Sequence, residues 1–370
     1  MTGPLGFGAM RLPMKGNEVD LEAVREMFDC FLAHGFTYFD TAKGYLDGLS
    51  EKAIKSCLTS VYPRESYQLT DKLTAGFFEK EEDIRPLLMT QLKTCGVSYF
   101  DYYLMHSQNA RNYPKFKQCR AYEQAMQFKK EGLIRHWGIS FHDTPELLDE
   151  ILTDYPEVEI VQIQFNYADY EAPNVQSRAV YEVARKHGKP VIIMEPVKGG
   201  TLAKLPQNLG DQVRDRYDGS PASLAIRFAA SFDGVAMVLS GMSEMSQVLD
   251  NISFMEDFKP LTDSEMKLAM DLSGQLATAA GIKCTACAYC VSGCPKNIPI
   301  PGLFACYNQK KMFPDWNSSY YYGVRTTGRG KASDCIRCGK CEQICPQKLP
   351  IREWMATVAE TFEKEKDDED

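Results

Sequence analysis

Short apolar runs alternate with amphipathic segments along the first two thirds of the chain. Apolar runs such as Pro190–Met194 predict β-strands. Segments such as Leu21–His34, in which Val24, Phe28 and Phe31 recur at helical spacing, predict α-helices. The predicted strands cover residues 5–10, 36–39, 67–71, 102–105, 136–140, 160–164, 190–194 and 235–239. The predicted helices cover residues 21–34, 50–60, 80–94, 115–131, 145–152, 175–187, 221–231 and 246–254.

This strict alternation predicts parallel strands joined by right-handed helical crossovers. Eight strand–helix units within the first 255 residues are what a closed (β/α)8 TIM barrel requires. An open doubly wound sheet is the alternative. The Gly-x-Gly-x-x-Gly fingerprint that often follows the first strand of such a sheet is missing here, so the pattern favours the barrel.

Four polar side chains follow predicted strands at the edge where barrel enzymes carry their active sites. Asp40 ends the second strand, Tyr45 lies in the loop after it, and Lys72 and His106 end the third and fourth strands. Each has an ordinary explanation alone, as a helix cap, a solvated lysine or a hydrogen-bonded histidine. Together they predict a proton-transfer site for carbonyl reduction. Tyr45 would donate a proton to the carbonyl oxygen, and Lys72, paired with Asp40, would ease its release. His106 would orient the oxygen.

Residues 5 to about 255 resemble the aldo-keto reductase family. The matching motifs are Leu5-Gly6-Phe7-Gly8, Asp40-Thr41-Ala42-x-x-Tyr45, Thr70-Asp71-Lys72-Leu73, Leu104-Met105-His106, Trp137-Gly138-Ile139-Ser140 and Gln162-Ile163-Gln164-Phe165-Asn166-Tyr167. The resemblance implies a reductase that uses NADP(H) or NAD(H) on a (β/α)8 barrel, with Asp40, Tyr45, Lys72 and His106 as its catalytic residues.

The resemblance also implies a set of nicotinamide contacts. Ser140 and Gln162 match residues that grip the carboxamide, and Met194 stands where an aromatic ring often stacks on the nicotinamide. Basic residues that often bind the 2′-phosphate are replaced, which leaves the choice between NADPH and NADH open. The full predicted set is Gly8, Met10, Asp40, Ser140, Gln162, Met194, the pyrophosphate-loop residues Glu195, Pro196, Val197 and Gly199, then Gly241, Gln247 and Asn251.

Two cysteine runs with identical spacing follow the predicted barrel. Each has the form Cys-x-x-Cys-x-x-Cys-x-x-x-Cys-Pro, which resembles the bacterial two-cluster ferredoxin pattern. In that pattern the fourth cysteine of each run ligates the cluster of the other run. The resemblance implies one 4Fe–4S cluster on Cys284, Cys287, Cys290 and Cys345, and a second on Cys335, Cys338, Cys341 and Cys294. A zinc site is the alternative, but zinc ribbons use two separated cysteine pairs.

The domain organisation follows from these patterns. We expect a barrel over residues 1–262, a linking helix over 263–280, and a mostly helical ferredoxin-type domain over 281–370 that ends in an acidic tail. Within this last domain we expect helices at 301–311 and 351–364 and a tyrosine-rich loop at 320–322. Five further cysteines are scattered and are expected to be buried thiols.

Composition restricts the function further. The net charge is −8, which argues against nucleic acid as a partner. No apolar run is long enough to predict a membrane span, and the N-terminus lacks the pattern of a signal peptide. We therefore expect a cytoplasmic enzyme, suited to low oxygen, that acts on a small carbonyl or alcohol substrate and has a possible redox partner protein. The alternative is a nicotinamide-binding redox sensor that acts on a partner through its clusters.

Overall fold

Eight parallel strands close into a barrel in the computed structural model, which describes residues 3–173, 175–278, 281–284, 287–312 and 316–364. The described residues form ten strands, eight in the barrel and two in a separate hairpin. They are β1 (Leu5–Gly8), β2 (Met14–Lys15), β3 (Glu18–Val19), β4 (Tyr38–Asp40), β5 (Gln68–Leu73), β6 (Phe100–Gln108), β7 (Ile134–Phe141), β8 (Ile160–Gln164), β9 (Val191–Met194) and β10 (Val235–Ser240). β2 and β3 form a small antiparallel hairpin, and the others close in the order β1-β10-β9-β8-β7-β6-β5-β4. The predicted fold class is confirmed.

Helices connect successive barrel strands. They are α1 (Leu21–Ala33), α2 (Leu49–Ile54), α3 (Glu81–Cys95), α4 (Tyr113–Gln118), α5 (Ala121–Lys130), α6 (Pro145–Asp154), α7 (Ser177–Lys186), α8 (Gln207–Arg216), α9 (Pro221–Ala230) and α10 (Met245–Met255). The single helix predicted over 115–131 is wrong, because Arg120 has a left-handed φ of 51° and separates α4 from α5. The helix predicted over 50–60 is α2 followed by a π-helix, Lys55–Thr59.

Aromatic side chains explain why α1 packs where it does. Phe28 and Phe31 lie on its buried face, and their rings contact Phe7 of β1 and Phe39 of β4 at centroid distances of 4.9 to 5.7 Å. All four side chains are fully buried. Burying one such side chain contributes on the order of 2 kcal/mol, so the helical spacing of these residues fixes the face that α1 presents to the barrel.

The chain divides into two compact units. Unit 1 contains residues 1–167 and 177–269, and unit 2 contains residues 168–176 and 270–370. The division falls inside α11 (Asp263–Thr278), which covers most of the predicted linking helix; residues 279–280 of that prediction lie outside the described part of the chain. In the described part of the chain, no helix is both long and apolar enough to span a membrane.

Unit 2 is helical beyond α11. Its helices are α12 (Tyr289–Ser292), α13 (Ile300–Met312), α14 (Asn317–Thr326), α15 (Lys340–Ile344) and α16 (Ile351–Phe362). The tyrosine-rich loop predicted at 320–322 is wrong, because these residues form the middle of α14. Tyr321 and Tyr322 are buried in the core of this unit, and their packing stabilises the helix.

Candidate functional site

A buried lysine lies at the centre of the carboxyl-terminal edge of the barrel. Lys72, on β5, is completely buried, and its Nζ donates to Asp40 Oδ1 at 2.5 Å, to the Thr41 carbonyl oxygen at 2.8 Å and to the Tyr45 hydroxyl at 3.2 Å. β4 and β5 are neighbours, with Asp40 paired to Thr70, which is why the carboxylate and the ammonium meet. Three predicted catalytic residues therefore form one hydrogen-bonded group.

A tight turn presents Tyr45 to this lysine. The Tyr45 N–H donates to the Ala42 carbonyl oxygen at 3.0 Å, and the next two residues, Leu46 and Asp47, adopt left-handed φ values of 51° and 53°. Such conformations cost energy in residues other than glycine, and they cluster at functional sites. The Lys72 ammonium lies 4.7 Å from the centroid of the Tyr45 ring, so its charge acts on the whole phenol.

Burial and the ion pair set the protonation of this group. Burial lowers the pKa of Lys72, but Asp40 and Tyr45 together outweigh burial, and the pKa lies above its ordinary value. Burial raises the pKa of Tyr45, and Lys72 opposes this only in part. Burial therefore raises the pKa of the phenol by more than Lys72 lowers it, although the lowering by Lys72 is the effect expected from the sequence. The tyrosine is consequently kept as a protonated donor beside a permanent cation.

His106 reaches the same edge through a bulge in β6. Met105 pairs with Ile139 and Gln108 with Phe141, so β6 has one residue more than β7 at this point. Ser107 takes a left-handed φ of 58° there. Bulges of this kind redirect side chains beside active sites. The rings of His106 and Tyr45 meet edge to face, with centroids 5.9 Å apart, so the structure brings all four predicted catalytic residues together.

Both histidines near Lys72 are neutral. Burial and the charge of Lys72 lower the pKa of His106 well below its ordinary value, and they lower that of His142 to about 4. His106 Nδ1 lies 2.7 Å from the Thr74 hydroxyl. A bond from this hydroxyl to Nδ1 would place the ring proton on Nε2, where it could be donated to a substrate oxygen.

A second buried polar cluster, absent from the sequence-based predictions, supports the backbone of Lys72 from the helix layer. Lys72 donates its N–H to Asp71 Oδ1 at 2.7 Å, and Gln91 donates to its carbonyl oxygen at 3.1 Å. Asp71 lies beside Glu51, and both carboxyl groups are fully buried. Burial, followed by the charge of Glu51, raises the pKa of Asp71 well above its usual range, which favours one proton shared between the two.

Two predicted nicotinamide contacts lie side by side on β7 and β8. Ser140 and Gln162 are partners in the strand register, so their side chains share one face, and both are buried. Gln162 Nε2 donates to Asp40 Oδ2 at 3.1 Å, and Ser140 Oγ accepts from the Ser107 N–H at 3.3 Å. The predicted carboxamide site is thus directly connected to the catalytic group.

The predicted pyrophosphate loop follows β9. Met194 is the last residue of β9, and the loop residues Glu195, Pro196, Val197 and Gly199 follow. Glu195 and Gly199 adopt left-handed conformations. A basic residue that sequence analysis missed contacts this loop and the next one. Arg11 lies 3.7 Å from Glu195 Oε1, and a Cβ placed on Gly241 would lie 3.3 Å from the Arg11 side chain. Nothing in the sequence around Arg11 distinguishes it from an ordinary surface arginine.

The remaining predicted contacts surround β1 and β10. The backbone of Gly8 approaches that of Ser240 closely, because an added Cβ would lie 3.4 Å from its carbonyl oxygen. Asn251 is buried and donates to the Ser240 hydroxyl at 2.6 Å. Gln247 accepts from the Ser243 N–H at 2.8 Å, and Met10 is exposed. That these residues bind a nicotinamide cofactor stays a prediction.

Unit 2 contains two cavities lined by cysteines. Cys284, Cys287, Cys290 and Cys345 line the first. Cys335, Cys338, Cys341 and Cys294 line the second. The fourth cysteine of each run therefore lies with the first three of the other run, and no disulfide joins any of these eight described residues. Four thiols around one cavity are the donor set of a 4Fe–4S cluster.

Comparisons with known proteins agree with both parts of the chain. The Aldo/keto reductase family matches residues 4–272, and a 4Fe-4S dicluster domain matches residues 283–349. An uncharacterized oxidoreductase from Schizosaccharomyces pombe is 26% identical over 259 residues, 67% of this chain and 80% of its own. Methylglyoxal reductase DkgA from Escherichia coli is 26% identical over 253 residues, which cover 67% of this chain and 82% of its own.

Solved structures show the same fold. The holo form of an aldo-keto reductase from Bacillus halodurans has a TM-score of 0.60 and 26% identity, covering 73% of this chain and 92% of its own. An aldo-keto reductase from Klebsiella pneumoniae in complex with NADPH has a TM-score of 0.61 at 17% identity, and the match covers 74% of this chain and 95% of its own. The chain belongs to the aldo/keto reductase family. This confirms the predicted class of enzyme, a reductase that uses a nicotinamide cofactor, with an iron–sulfur domain attached.

Proposed function

We propose that the barrel reduces the carbonyl group of a small aldehyde or ketone at the site formed by Asp40, Tyr45, Lys72 and His106. The observation that carries this proposal is the Lys72 ammonium, which is buried between the Asp40 carboxylate and the Tyr45 hydroxyl. A barrel with a merely structural role would not need a buried ion pair aimed at a phenol, because such a pair is costly to desolvate.

Each residue has a distinct task in this reaction. A nicotinamide held beside Ser140 and Gln162 would supply a hydride to the carbonyl carbon. Negative charge then develops on the carbonyl oxygen, and Tyr45 donates its proton there while Lys72 stabilises the phenolate that forms. Asp40 holds Lys72 in place and keeps it charged. His106, being neutral, donates a hydrogen bond that orients the oxygen without adding a second cation.

The cofactor would bind across the adjoining strand ends. Ser140 and Gln162, paired on β7 and β8, offer polar groups for the carboxamide beside Asp40. Arg11 lies between the loops after β9 and β10, where it can pair with a cofactor phosphate in place of Glu195. We propose that both NADPH and NADH bind, and that Arg11→Met weakens the binding of each in a fluorescence titration. Unchanged affinities would remove Arg11 from the site.

The names of the relatives suggest where a substrate search should begin. Some related Escherichia coli proteins are named methylglyoxal reductases, one of them NADH-specific. We therefore propose 2-oxoaldehydes, with methylglyoxal as the first probe, followed by a panel of simple aldehydes and ketones. Turnover of none of them by protein that binds the cofactor would favour the alternative, a cofactor-binding sensor.

Substitution of Tyr45 tests the proposed chemistry. Tyr45→Phe removes the proton donor and keeps the ring, so turnover should fall by a factor on the order of 10² to 10⁴. The affinity for NADPH should change little, because the hydroxyl faces the substrate. Tyr62→Phe, which changes a partly buried tyrosine bonded to Asp29, is the matched control and should retain activity. Near-normal turnover by Tyr45→Phe would assign the proton to another group.

We propose that each cysteine cavity of unit 2 binds one 4Fe–4S cluster. The support is the crossed grouping of the eight cysteines, four around each of the two cavities. Protein prepared without oxygen should contain about eight iron and eight sulfide per chain. Protein that contains zinc and little iron would contradict this assignment. The clusters would stabilise the domain or exchange electrons with a partner.

A further inference from the structure

Charge is distributed unevenly between the two parts of the chain. Residues 281–364 contain twelve Lys and Arg but only six Asp and Glu, although the whole chain has a net charge of −8. The iron–sulfur domain without its acidic tail is therefore a basic module in an acidic protein. Such asymmetry affects which partners approach a protein and how quickly they bind.

The two cysteine cavities differ in the charges around them. Lys296, Lys340 and Arg352 line the second cavity, which contains Cys335 and Cys338. The described residues that line the first cavity, which contains Cys284 and Cys345, include no charged side chain. The basic residues are therefore concentrated around one of the two proposed clusters.

These cations form a rim with an apolar centre. Ile336, which also lines the second cavity, is 58% exposed, and Cys338 beside it is exposed as well. Arg337 extends the rim, because its guanidinium donates to the Arg352 carbonyl oxygen at 3.2 Å. We call Lys296, Ile336, Arg337, Lys340 and Arg352 the basic rim. An apolar centre surrounded by charge is the usual composition of a protein interface.

Internal ion pairs account for only one member of the basic rim. Arg352 pairs with Glu342 at 2.7 Å, which fixes α15 against α16. Within the residues that the structure describes, Lys296 and Lys340 pair with no carboxylate, and both are exposed. Arg337 is exposed as well, but it lies close enough to Glu342 that Arg352 first, and Arg337 to a smaller extent, lower the pKa of this carboxyl group. Lys296 and Lys340 line the same cavity and repel one another, and an acidic surface would relieve this repulsion.

We infer that the basic rim docks an acidic one-electron carrier protein, an iron–sulfur or flavin protein of negative surface charge. The inference depends on the cluster assignment proposed above. In the docked complex the carrier would lose one electron, and a cluster held by Cys294, Cys335, Cys338 and Cys341 would accept it, so no proton or further reactant is required. This cavity, rather than the first, is then the point where electrons enter or leave the domain.

Rapid-mixing kinetics test the inference. The probe is a strongly acidic flavodoxin, a flavin carrier whose absorbance differs from that of a cluster, reduced chemically to its hydroquinone, freed of excess reductant, and mixed without oxygen with the oxidised full-length protein. Bleaching of the cluster absorbance gives the second-order rate constant. This constant should fall by about tenfold or more as salt is raised, because salt screens attraction between opposite charges. Lys296→Glu combined with Lys340→Glu should lower it about tenfold at low salt.

A matched pair of substitutions distinguishes an effect on docking at the basic rim from an effect of the net charge of the protein. Lys364 lies just past the far end of α16, which at twelve residues is about 18 Å long, while Arg352 lies in its first turn. Lys364→Glu/Lys311→Glu makes the same change in net charge outside the basic rim, and its rate constant should stay within about twofold of the unsubstituted protein.

Iron and sulfide are measured in every variant first, so that a lost cluster is not mistaken for lost docking. If the rim variant loses iron, Lys296→Gln combined with Lys340→Gln replaces it and should lower the rate about threefold. The inference is overturned if cluster-loaded rim variants accept electrons as fast as the unsubstituted protein. It is also overturned if the control pair slows the reaction equally, or if the rate rises with salt.

Discussion

Removal of the Asp40 charge should destabilise the barrel and change its pH dependence. In Asp40→Asn the Lys72 ammonium loses a carboxylate oxygen 2.5 Å away. At that distance, and with an effective dielectric constant of about 20, the lost attraction is about 7 kcal/mol. Part of this is recovered, because the ammonium still donates to the Thr41 carbonyl oxygen and the Tyr45 hydroxyl. We expect a loss of about 3 kcal/mol in the free energy of unfolding, near the lower end for a broken buried pair.

The same substitution should change the titration of Lys72. Burial lowers the pKa of this lysine, and the Asp40 carboxylate together with Tyr45 currently outweighs burial. Without the carboxylate, burial dominates, and the lysine loses its proton at a lower pH. Carbonyl reduction by Asp40→Asn should therefore weaken further as pH rises through the neutral and alkaline range. The unsubstituted protein should not show this decline, because its Lys72 has a raised pKa.

Urea unfolding followed by circular dichroism measures the stability change, with the barrel transition identified by its shift when NADPH is added. Glu182→Gln, which breaks an exposed pair with Arg178, is the control and should cost less than about 0.5 kcal/mol. Asp40→Asn combined with Lys72→Met removes both charges and should be more stable than Asp40→Asn alone. A single variant within about 1 kcal/mol of the unsubstituted protein, or a double variant less stable than the single, would refute this reasoning.

Three further predictions follow from the two sites. NMR should show that His106 and His142 remain neutral at pH 6 in the folded protein. In the unfolded chain a histidine binds a proton below its ordinary pKa of about 6.5. The free energy of unfolding should therefore fall as the pH drops below this value. A charged His106 at pH 7 would contradict the assigned role. Cys345→Ser should damage the cluster held by Cys284 rather than that held by Cys335, as resolved by Mössbauer spectroscopy and iron analysis; loss confined to the other cluster would contradict the crossed grouping. Excess NADPH without substrate should produce no EPR signal of a reduced cluster at a rate comparable to turnover, because a hydride carries two electrons and a cluster accepts one. A reduced-cluster signal that grows as fast as turnover would contradict this and show that electrons pass from the nicotinamide to the clusters.

The barrel and its four central residues could be predicted because their patterns are local. Buried parallel strands read as continuous apolar runs, and residues at the ends of such runs lie at one edge of the barrel. Asp40, Lys72 and His106 follow or lie close to the ends of three neighbouring strands, and the structure brings them together. The crossed cysteine grouping could likewise be predicted, because the two runs resemble the bacterial two-cluster ferredoxin pattern.

Features determined by tertiary packing could not be predicted. α8 buries only Leu209 and Val213, too few apolar positions for a helical pattern. The break at Arg120 has no glycine to mark it, and α14 depends on the burial of tyrosines that suggested a loop. Glu51 and Asp71 are distant in sequence and meet only because α2 packs against β5, and Arg11 approaches the loops after β9 and β10 only in the folded chain.

The most direct test of the central claim is to follow a deuterium label during carbonyl reduction. Protein prepared without oxygen is incubated with methylglyoxal, or with the best substrate from the panel, and with NADPH deuterated at C4 on one face and then on the other. Direct hydride transfer at the Tyr45 site predicts that the product carries deuterium on the former carbonyl carbon with one of the two cofactors and hydrogen with the other. A product unlabelled by both cofactors, or label lost to water, would contradict the account and show that electrons reach the substrate by another route.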